Sequence, residues 1–308
     1  MMRSVPTPAV VFELCRPFTL LAPMVGVVAG AGAAVGASDT ALSAPLMLRI
    51  TMGIIMAGLL NAASNALNQV FDIDVDSINK PDRPLPSGRL STAFALGQAL
   101  FLYGIALLLA WPLSNQNGPE CFALVCIAAL FTVVYSVPPF RTKRFGWMAN
   151  LTIAIPRGLL LKVAGWSIVA PVFSNAEPWV LGGLFFLFLV GASTAKDYAD
   201  IEGDQRGGIQ SLPIRLGWRK AHAWTSPFYV LPWLLMMAIP LLPNPLLTAS
   251  PLGLIVLGGL CAAYGIWVVL LLRDEPTRMG QEGNHLAWFH MYVLMMTAQV
   301  GSCLVYVL

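Results

Sequence analysis

Apolar runs of about 20 residues recur along the whole chain, and each is long enough to cross roughly 30 Å of hydrocarbon as a helix. Stretches such as GLFFLFLVGAS at 183–193 are apolar without interruption, whereas the strands of a membrane barrel alternate polar and apolar positions. The spacing predicts nine helical spans, at about 18–37, 46–68, 91–112, 119–138, 147–168, 178–196, 221–242, 250–272 and 285–307. Charge is too scarce to cover a surface in water: charged residues make up 11% of the 308, against about a quarter in a soluble domain. The pattern reads as all-α, a polytopic membrane protein in which residues 1–308 form a single transmembrane domain.

The basic residues set an orientation. Fifteen of the eighteen Lys and Arg lie before span 1 or in the 2–3, 4–5, 6–7 and 8–9 connections, and the connections between hold none. By the positive-inside rule the N-terminus and those basic loops are cytoplasmic and the C-terminus is outside. The expected location is a bacterial or archaeal plasma membrane. Span 1 has features of a signal peptide, with Arg3 ahead of it and AGAGAAVGA at 29–37 within it. Its length, and Arg16-Pro17 at its mouth, predict that it is retained. The five cysteines form no CxxC pair and the three histidines are scattered, so neither a disulfide framework nor a zinc site is inferred.

Against this apolar background, charge concentrates in two places. The first is NALNQVFDIDVDSINKPDRPLPSG at 65–88. Asn61, Asn65, Asn68, Asp72 and Asp76 are spaced four, three, four and four, which predicts one polar stripe down the end of span 2. Pro81, Pro84 and Pro86 then hold the following loop extended. The second is AKDYADIEGDQRGGIQSLPIRLG after span 6, where Asp197, Asp200 and Asp204 share one face of an expected helical continuation. Solvated loop charge accounts for Asp74, Asp82 and Glu202. It does not account for asparagines that begin inside an apolar span, where unpaired polar groups are costly.

Two facing carboxylate clusters repel one another unless cations lie between them. Oxygen ligands with little imidazole or thiolate favour Mg²⁺, which keeps one or two carboxylates and fills its shell with water and phosphate oxygens. Clusters bridged in this way would grip a diphosphate, with Lys80, Arg83 and Lys143 as further counter-charges. No Walker A pattern is present, so a nucleotide is not the expected carrier. In this setting the expected carrier is a lipid.

At these residues the chain resembles the UbiA family of intramembrane prenyltransferases. Asn68, Asp72 and Asp76 meet the family's N-x-x-x-D-x-x-x-D motif and are followed by INKPDRPLPSGRLS; Asp200 and Asp204 stand in D-x-x-x-D spacing with Asp197 just before. Arg16-Pro17 and YSVPPFRTKRF at 135–145 also match, so the likeness covers essentially the whole chain. It implies nine helices around a central, lipid-accessible cavity, with an isoprenyl diphosphate whose head meets Mg²⁺ and whose tail lies along a lateral opening. It implies that Asp72, Asp76, Asp200 and Asp204 carry the metal ions, that Asp197 assists and that Asn68 binds the diphosphate. Arg16, Lys80, Arg83 and Lys143 would neutralise the remaining charge. Tyr135 and Tyr198 are the candidates for stabilising an allylic cation.

For the acceptor the cues diverge. YSVPPFRTKRF…IPRGLLLK is similar to homogentisate prenyltransferases, EGDQRGGIQSLP to chlorophyll synthases, and INKPDRPLPSGRLS also to enzymes prenylating geranylgeranylglyceryl phosphate. The reading favours an aromatic quinone-precursor ring, with the other two acceptors and a UbiA-type terpene cyclase left open. Arg157 and Lys162 lie about 15–20 Å into span 5 at about 1.5 Å per residue. They are expected to bind an anionic acceptor group or to line the route to the diphosphate. A secondary transporter is the alternative of a different class, but carboxylates at span ends suit a reaction chamber better than a midplane site. CDP-alcohol phosphotransferases require a D-G-x-x-A-R stretch that is absent.

Overall fold

The computed structural model describes residues 6–114, 118–274 and 285–308. These are helical throughout, without a strand; Phe145 and Gln210 form an isolated parallel bridge. A short α1 (Pro8–Leu14) precedes α2 (Pro17–Ala37) and α3 (Ala44–Phe71), and a second short helix, α4 (Ile73–Asn79), follows. Next come α5 (Thr92–Leu113), α6 (Glu120–Ser136), α7 (Trp147–Ala154), a π-helical turn (Ile155–Leu160) and α8 (Leu161–Ser167). The rest comprises α9 (Glu177–Lys196), α10 (Ile201–Arg206), α11 (Leu212–Leu216), α12 (Trp218–Leu241), α13 (Pro251–Arg273) and α14 (Leu286–Val307).

Among the described residues, seven of these helices (α2, α3, α5, α9, α12, α13 and α14) are long and apolar enough to cross a membrane, so the chain is an integral membrane protein. The expected fourth span is the shorter α6, and the fifth is divided by the π turn. Large apolar side chains point outward, among them Leu100, Phe101, Leu108, Leu130 and Leu260. In hydrocarbon such exposure carries no penalty, and helices associate instead through close packing of small residues.

The small-residue stretch of α2 is such a surface. A Cβ on Gly30 would stand 2.0 Å from the Lys162 carbonyl, so α2 and α8 cross at backbone distance. Each span packs on the next in the order α2, α3, α5, α6, α8, α9, α12, α13, α14, and α14 returns to α2.

Two expected helices are broken. The stripe from Asn61 to Asp76 does not lie on one helix: α3 stops at Phe71, Asp72 takes φ −115° and ψ 10°, and α4 restarts beyond it. The continuation after span 6 is likewise interrupted. A 3₁₀ turn at Ser193–Lys196 leads through Asp197 to Asp200, which stands at the N-terminus of α10. Short polar side chains compete locally for backbone hydrogen bonds, which favours such breaks.

Candidate active site

α4 and α10, the two segments that carry the acidic residues, pack against each other. Asn79 joins them: its amide donates to the Asp200 carbonyl at 3.0 Å, and its oxygen accepts from the Gly203 amide at 2.9 Å. A Cβ on Gly203 would meet the Asn79 side chain at 2.6 Å, so this approach requires glycine. The 4–5 connection is pinned to the same place by Gly146 N–H to Gln210 O at 2.9 Å and Gln210 N–H to Arg144 O at 3.0 Å. The 3₁₀ turn Thr142–Arg144 then buries Lys143 and leaves Arg144 exposed.

The result is a cleft lined by Asp72, Asp76, Asp197, Asp200 and Asp204 together with Arg16, Lys80, Arg83 and Lys143. Asn68 and Tyr135 also face it. Four of the carboxylates hold a cation. Asp72 pairs with Lys143 and, at 3.0 Å, with Arg141; Arg83 donates to both oxygens of Asp76 at 2.8 and 2.7 Å. Lys80 pairs with Asp200, and Lys196 with Asp197 at 2.5 Å. Asp204 has no ion pair among the described residues.

Burial sets the protonation of these groups. It pushes Asp204 up to about 7, with Asp197 and Asp200 adding to the rise and Lys196 opposing it. Burial also raises Asp76 despite Arg83, and Asp197 despite Lys196. At Asp200 burial acts upward, yet Lys80 beside it holds the carboxyl below its usual value.

The cleft adjoins a second, smaller chamber between α2, α7, α9 and α14. Its walls include Ala22, Pro23, Leu189, Met291 and Met295; Ile153, Arg157, Lys196, Trp288 and Tyr292 line both spaces.

Two expected site residues lie elsewhere. Tyr198 follows Asp197 in the turn, and its side chain packs against Trp218 with ring centroids 4.0 Å apart and the rings tilted by 46°. It does not line the cleft. Lys162 is 1% exposed and also outside the cleft; its ammonium donates to the Arg157 carbonyl at 2.8 Å and sits 4.8 Å from the Phe185 ring centre. Asn61 turns to the Thr19 carbonyl at 3.1 Å.

Sequence reasoning did not single out Arg141, Lys196, Asn79, Trp288 or Tyr292. Lys196 directly precedes Asp197, and Asn79 lies three residues after Asp76, so spacing alone offered a signal for these two.

Among the described residues, no three of His, Cys, Asp and Glu converge as a ready-made metal cage. The oxygen donors instead sit in the two acidic segments, each beside a basic side chain. That arrangement fits a hard cation that takes one or two carboxylates and completes its shell with water and diphosphate oxygens.

Residues 23–292 match the family described as the UbiA prenyltransferase family. The bacteriochlorophyll synthase 33 kDa chain of Cereibacter sphaeroides is 34% identical over 220 residues, covering 70% of this chain and 68% of that one. Homogentisate phytyltransferase of Synechocystis sp. is 30% identical over 222 residues, covering 67% and 68%. A UbiA homologue from Archaeoglobus fulgidus, solved with GPP and Mg²⁺, superposes with a TM-score of 0.73 at 18% identity, covering 97% of this chain and 100% of that one. The match over most of the chain, on an all-helical fold with two acidic segments meeting at one cleft, establishes this protein as a member of the UbiA prenyltransferase family.

Proposed function

We propose that the chain transfers an isoprenyl group from an isoprenyl diphosphate, held in the acidic cleft with Mg²⁺, to an aromatic acceptor. The observation that carries this reading is the convergence of five carboxylates and six basic side chains on one cleft that continues into an apolar chamber. In the reading, residues 1–308 form one domain whose nine spans surround a lipid-accessible cavity. The basic loops and N-terminus face the cytoplasm, as the charge bias supports.

Asp72, Asp76, Asp200 and Asp204 would hold the metal, which when bound supplies positive charge for the leaving diphosphate. The ion pairs of the free cleft give the protein's part. Lys80, Arg83 and Lys143 already neutralise Asp200, Asp76 and Asp72. An arriving diphosphate exchanges partners with them, so the cations turn to phosphate oxygens while the carboxylates turn to metal. Charge stays balanced at each stage, and little reorganisation remains when the prenyl carbon–oxygen bond breaks. Asn68 donates to a diphosphate oxygen, and Arg16 adds a cation at the mouth of α2. Tyr135, Trp288 and Tyr292 line the cleft where an allylic cation would form, and their ring faces stabilise positive charge.

The test is diphosphate release and product mass from purified protein with geranylgeranyl diphosphate, with and without Mg²⁺, offering homogentisate, 4-hydroxybenzoate, chlorophyllide and geranylgeranylglyceryl phosphate in turn. Asp72→Ala and Asp200→Ala should abolish turnover with the protein still folded in detergent. Turnover like the wild type in either variant would sink the metal assignment. Prenyl alcohol or hydrocarbon as the sole product would replace transfer by cyclase or hydrolase chemistry.

A further inference from the structure

The first turns of α12 and the last turns of α13 meet at the end of the bundle that carries the acidic cleft. Trp218, the first residue of α12, packs against Tyr198, which follows Asp197 in the second acidic segment. Its indole N–H donates to the Leu272 carbonyl at 3.2 Å, and His222 Nε2 donates to the Val269 carbonyl at 2.9 Å. These two bonds hold the ends of the two helices at one level. Between them lies an open groove lined by Trp218, Arg219, His222 and Arg273.

Charge around this groove is mostly of one sign. Arg219, Lys220 and Arg273 are exposed, and neither Arg219 nor Lys220 has an ion pair among the described residues. From Gln205 to Arg273 the sequence contains no Asp or Glu; Asp274 and Glu275 follow directly. Inward from the arginines the surface turns apolar. Leu270 and Ile266 lie about one and two turns from Arg273 on its face of α13 and are 43% and 51% exposed. Ala223 and Pro227, four and eight residues beyond Arg219 on α12, are exposed as well. Trp224 and Trp267 also face outward, about 7–9 Å inward from Arg219 and Arg273 at about 1.5 Å per residue. Tryptophans of this kind mark the boundary between headgroups and hydrocarbon, which sets the two arginines at headgroup level. The positive-inside rule accounts for basic residues on this side. It does not account for arginines from two helices placed around one aromatic floor, above an exposed apolar strip.

We propose that this groove binds one anionic phospholipid, with its phosphate between Arg219 and Arg273 and its acyl chains along the apolar strip of α12 and α13. A guanidinium offers paired N–H donors that match phosphate oxygens. Basic pockets between membrane helices recognise anionic headgroups in this way. The surface fits a lipid rather than a soluble anion, because its cationic end continues into exposed Leu270 and Ile266. A zwitterionic lipid carries the same phosphate, but its own ammonium opposes the positive field of Arg219, Lys220 and Arg273. None of the four groove residues lines the acidic cleft, so the bound phospholipid is not the prenyl donor or its acceptor.

The experiment titrates purified full-length protein in detergent with dioleoyl phosphatidylglycerol or dioleoyl phosphatidylcholine and counts bound lipid by native mass spectrometry. One phosphatidylglycerol should bind about 10-fold more tightly than phosphatidylcholine. Arg219→Gln and Arg273→Gln should each weaken it about fivefold, the effect of one basic residue beside an anionic headgroup. The double variant should weaken it about 25-fold if the two act independently on one headgroup. Phosphatidylcholine affinity and the melting temperature in lipid-free detergent should stay at wild-type values in all three, which separates a lost site from a lost fold. Arg144→Gln removes an exposed basic residue from the 4–5 connection, away from the groove, and should leave the preference for phosphatidylglycerol unchanged. Equal affinity of wild type for the two lipids overturns the proposal. So does an Arg144→Gln loss as large as that of Arg219→Gln, since the attraction would then come from a diffuse field rather than a site. Displacement of phosphatidylglycerol by millimolar inorganic phosphate would overturn the lipid assignment in favour of a soluble anion.

Discussion

Asn65→Ala tests how firmly α3 holds the segment that carries Arg16 at the cleft. The Asn65 amide donates to the Cys15 carbonyl and to the Thr19 hydroxyl, both at 2.8 Å, and Gln69 donates to the Leu14 carbonyl at 2.7 Å. These bonds grip the link between α1 and α2, where Arg16 takes φ 53°, a left-handed conformation for a residue with a side chain. That conformation costs roughly 1–2 kcal/mol. Side-chain hydrogen bonds between membrane helices average about 0.6 and reach about 1.7 kcal/mol, so the two Asn65 bonds supply about 1–3 kcal/mol. The tether and the strain it restrains are therefore of similar size, and loss of Asn65 should let Arg16 relax away from the cleft. At about 1.4 kcal/mol per tenfold, the donor KM should rise roughly 5- to 30-fold. The melting temperature in detergent should fall by a few degrees, because Asn61 and Gln69 still hold the segment. Diphosphate release against donor concentration gives the first quantity and thermal unfolding the second. A donor KM within twofold of wild type would refute the reasoning, since Arg16 would then keep its place without the tether.

Two other perturbations probe opposite ends of the molecule. The Glu177 carboxylate accepts from Thr248 N–H at 2.6 Å and from the Tyr306 hydroxyl at 2.7 Å, about 24 Å along α9 from Ser193 at about 1.5 Å per residue. Glu177→Ala should cost about 2–4 kcal/mol of stability yet leave both substrate KM values within twofold; a changed donor KM would contradict the separation. At the cleft, Mg²⁺ alone should barely raise the melting temperature, because among the described residues no three of His, Cys, Asp and Glu stand close enough together to hold an ion by themselves. Mg²⁺ with geranylgeranyl S-thiolodiphosphate should raise it strongly, by roughly 2.7 kcal/mol of added stability at 100 times Kd, and EDTA should remove the gain. A full rise with Mg²⁺ alone would indicate a cage built from protein ligands.

Apolar run length was enough to place seven long apolar helices among the described residues, because a helix in hydrocarbon has few other solutions, whereas the expected fourth span is shorter and the fifth is divided. The acidic segments were equally readable, since carboxylates at the ends of apolar spans demand a reason. Side-chain direction at the breaks was not. Asp197 and Tyr198 looked equally able to face the cleft until the turn after α9 sent one in and the other onto Trp218. Lys162 looked like a ligand because depth alone marked it, and depth does not reveal that its ammonium bonds a carbonyl on its own helix.

The asparagines of α3 show why pattern alone stops short of assigning roles. Asn61, Asn65 and Gln69 recur every four residues and bond the Leu14–Thr19 segment. Asn68 stands one residue before Gln69, about 100° around the helix, and reaches the Ser136 hydroxyl at 3.4 Å beside the cleft. The sequence displays a single polar stripe with one residue type on both edges. The structure divides it into a face that holds Arg16's backbone and a face that lines the cleft with Asp72. Asn65 belongs to both, since it touches the tether and also lines the cleft. The cationic mouth of α2 and the acidic end of α3 are thus placed by one helix. A change in register between its two faces would move the counter-charge and the carboxylates relative to each other, which the exchange of partners proposed for the diphosphate does not tolerate.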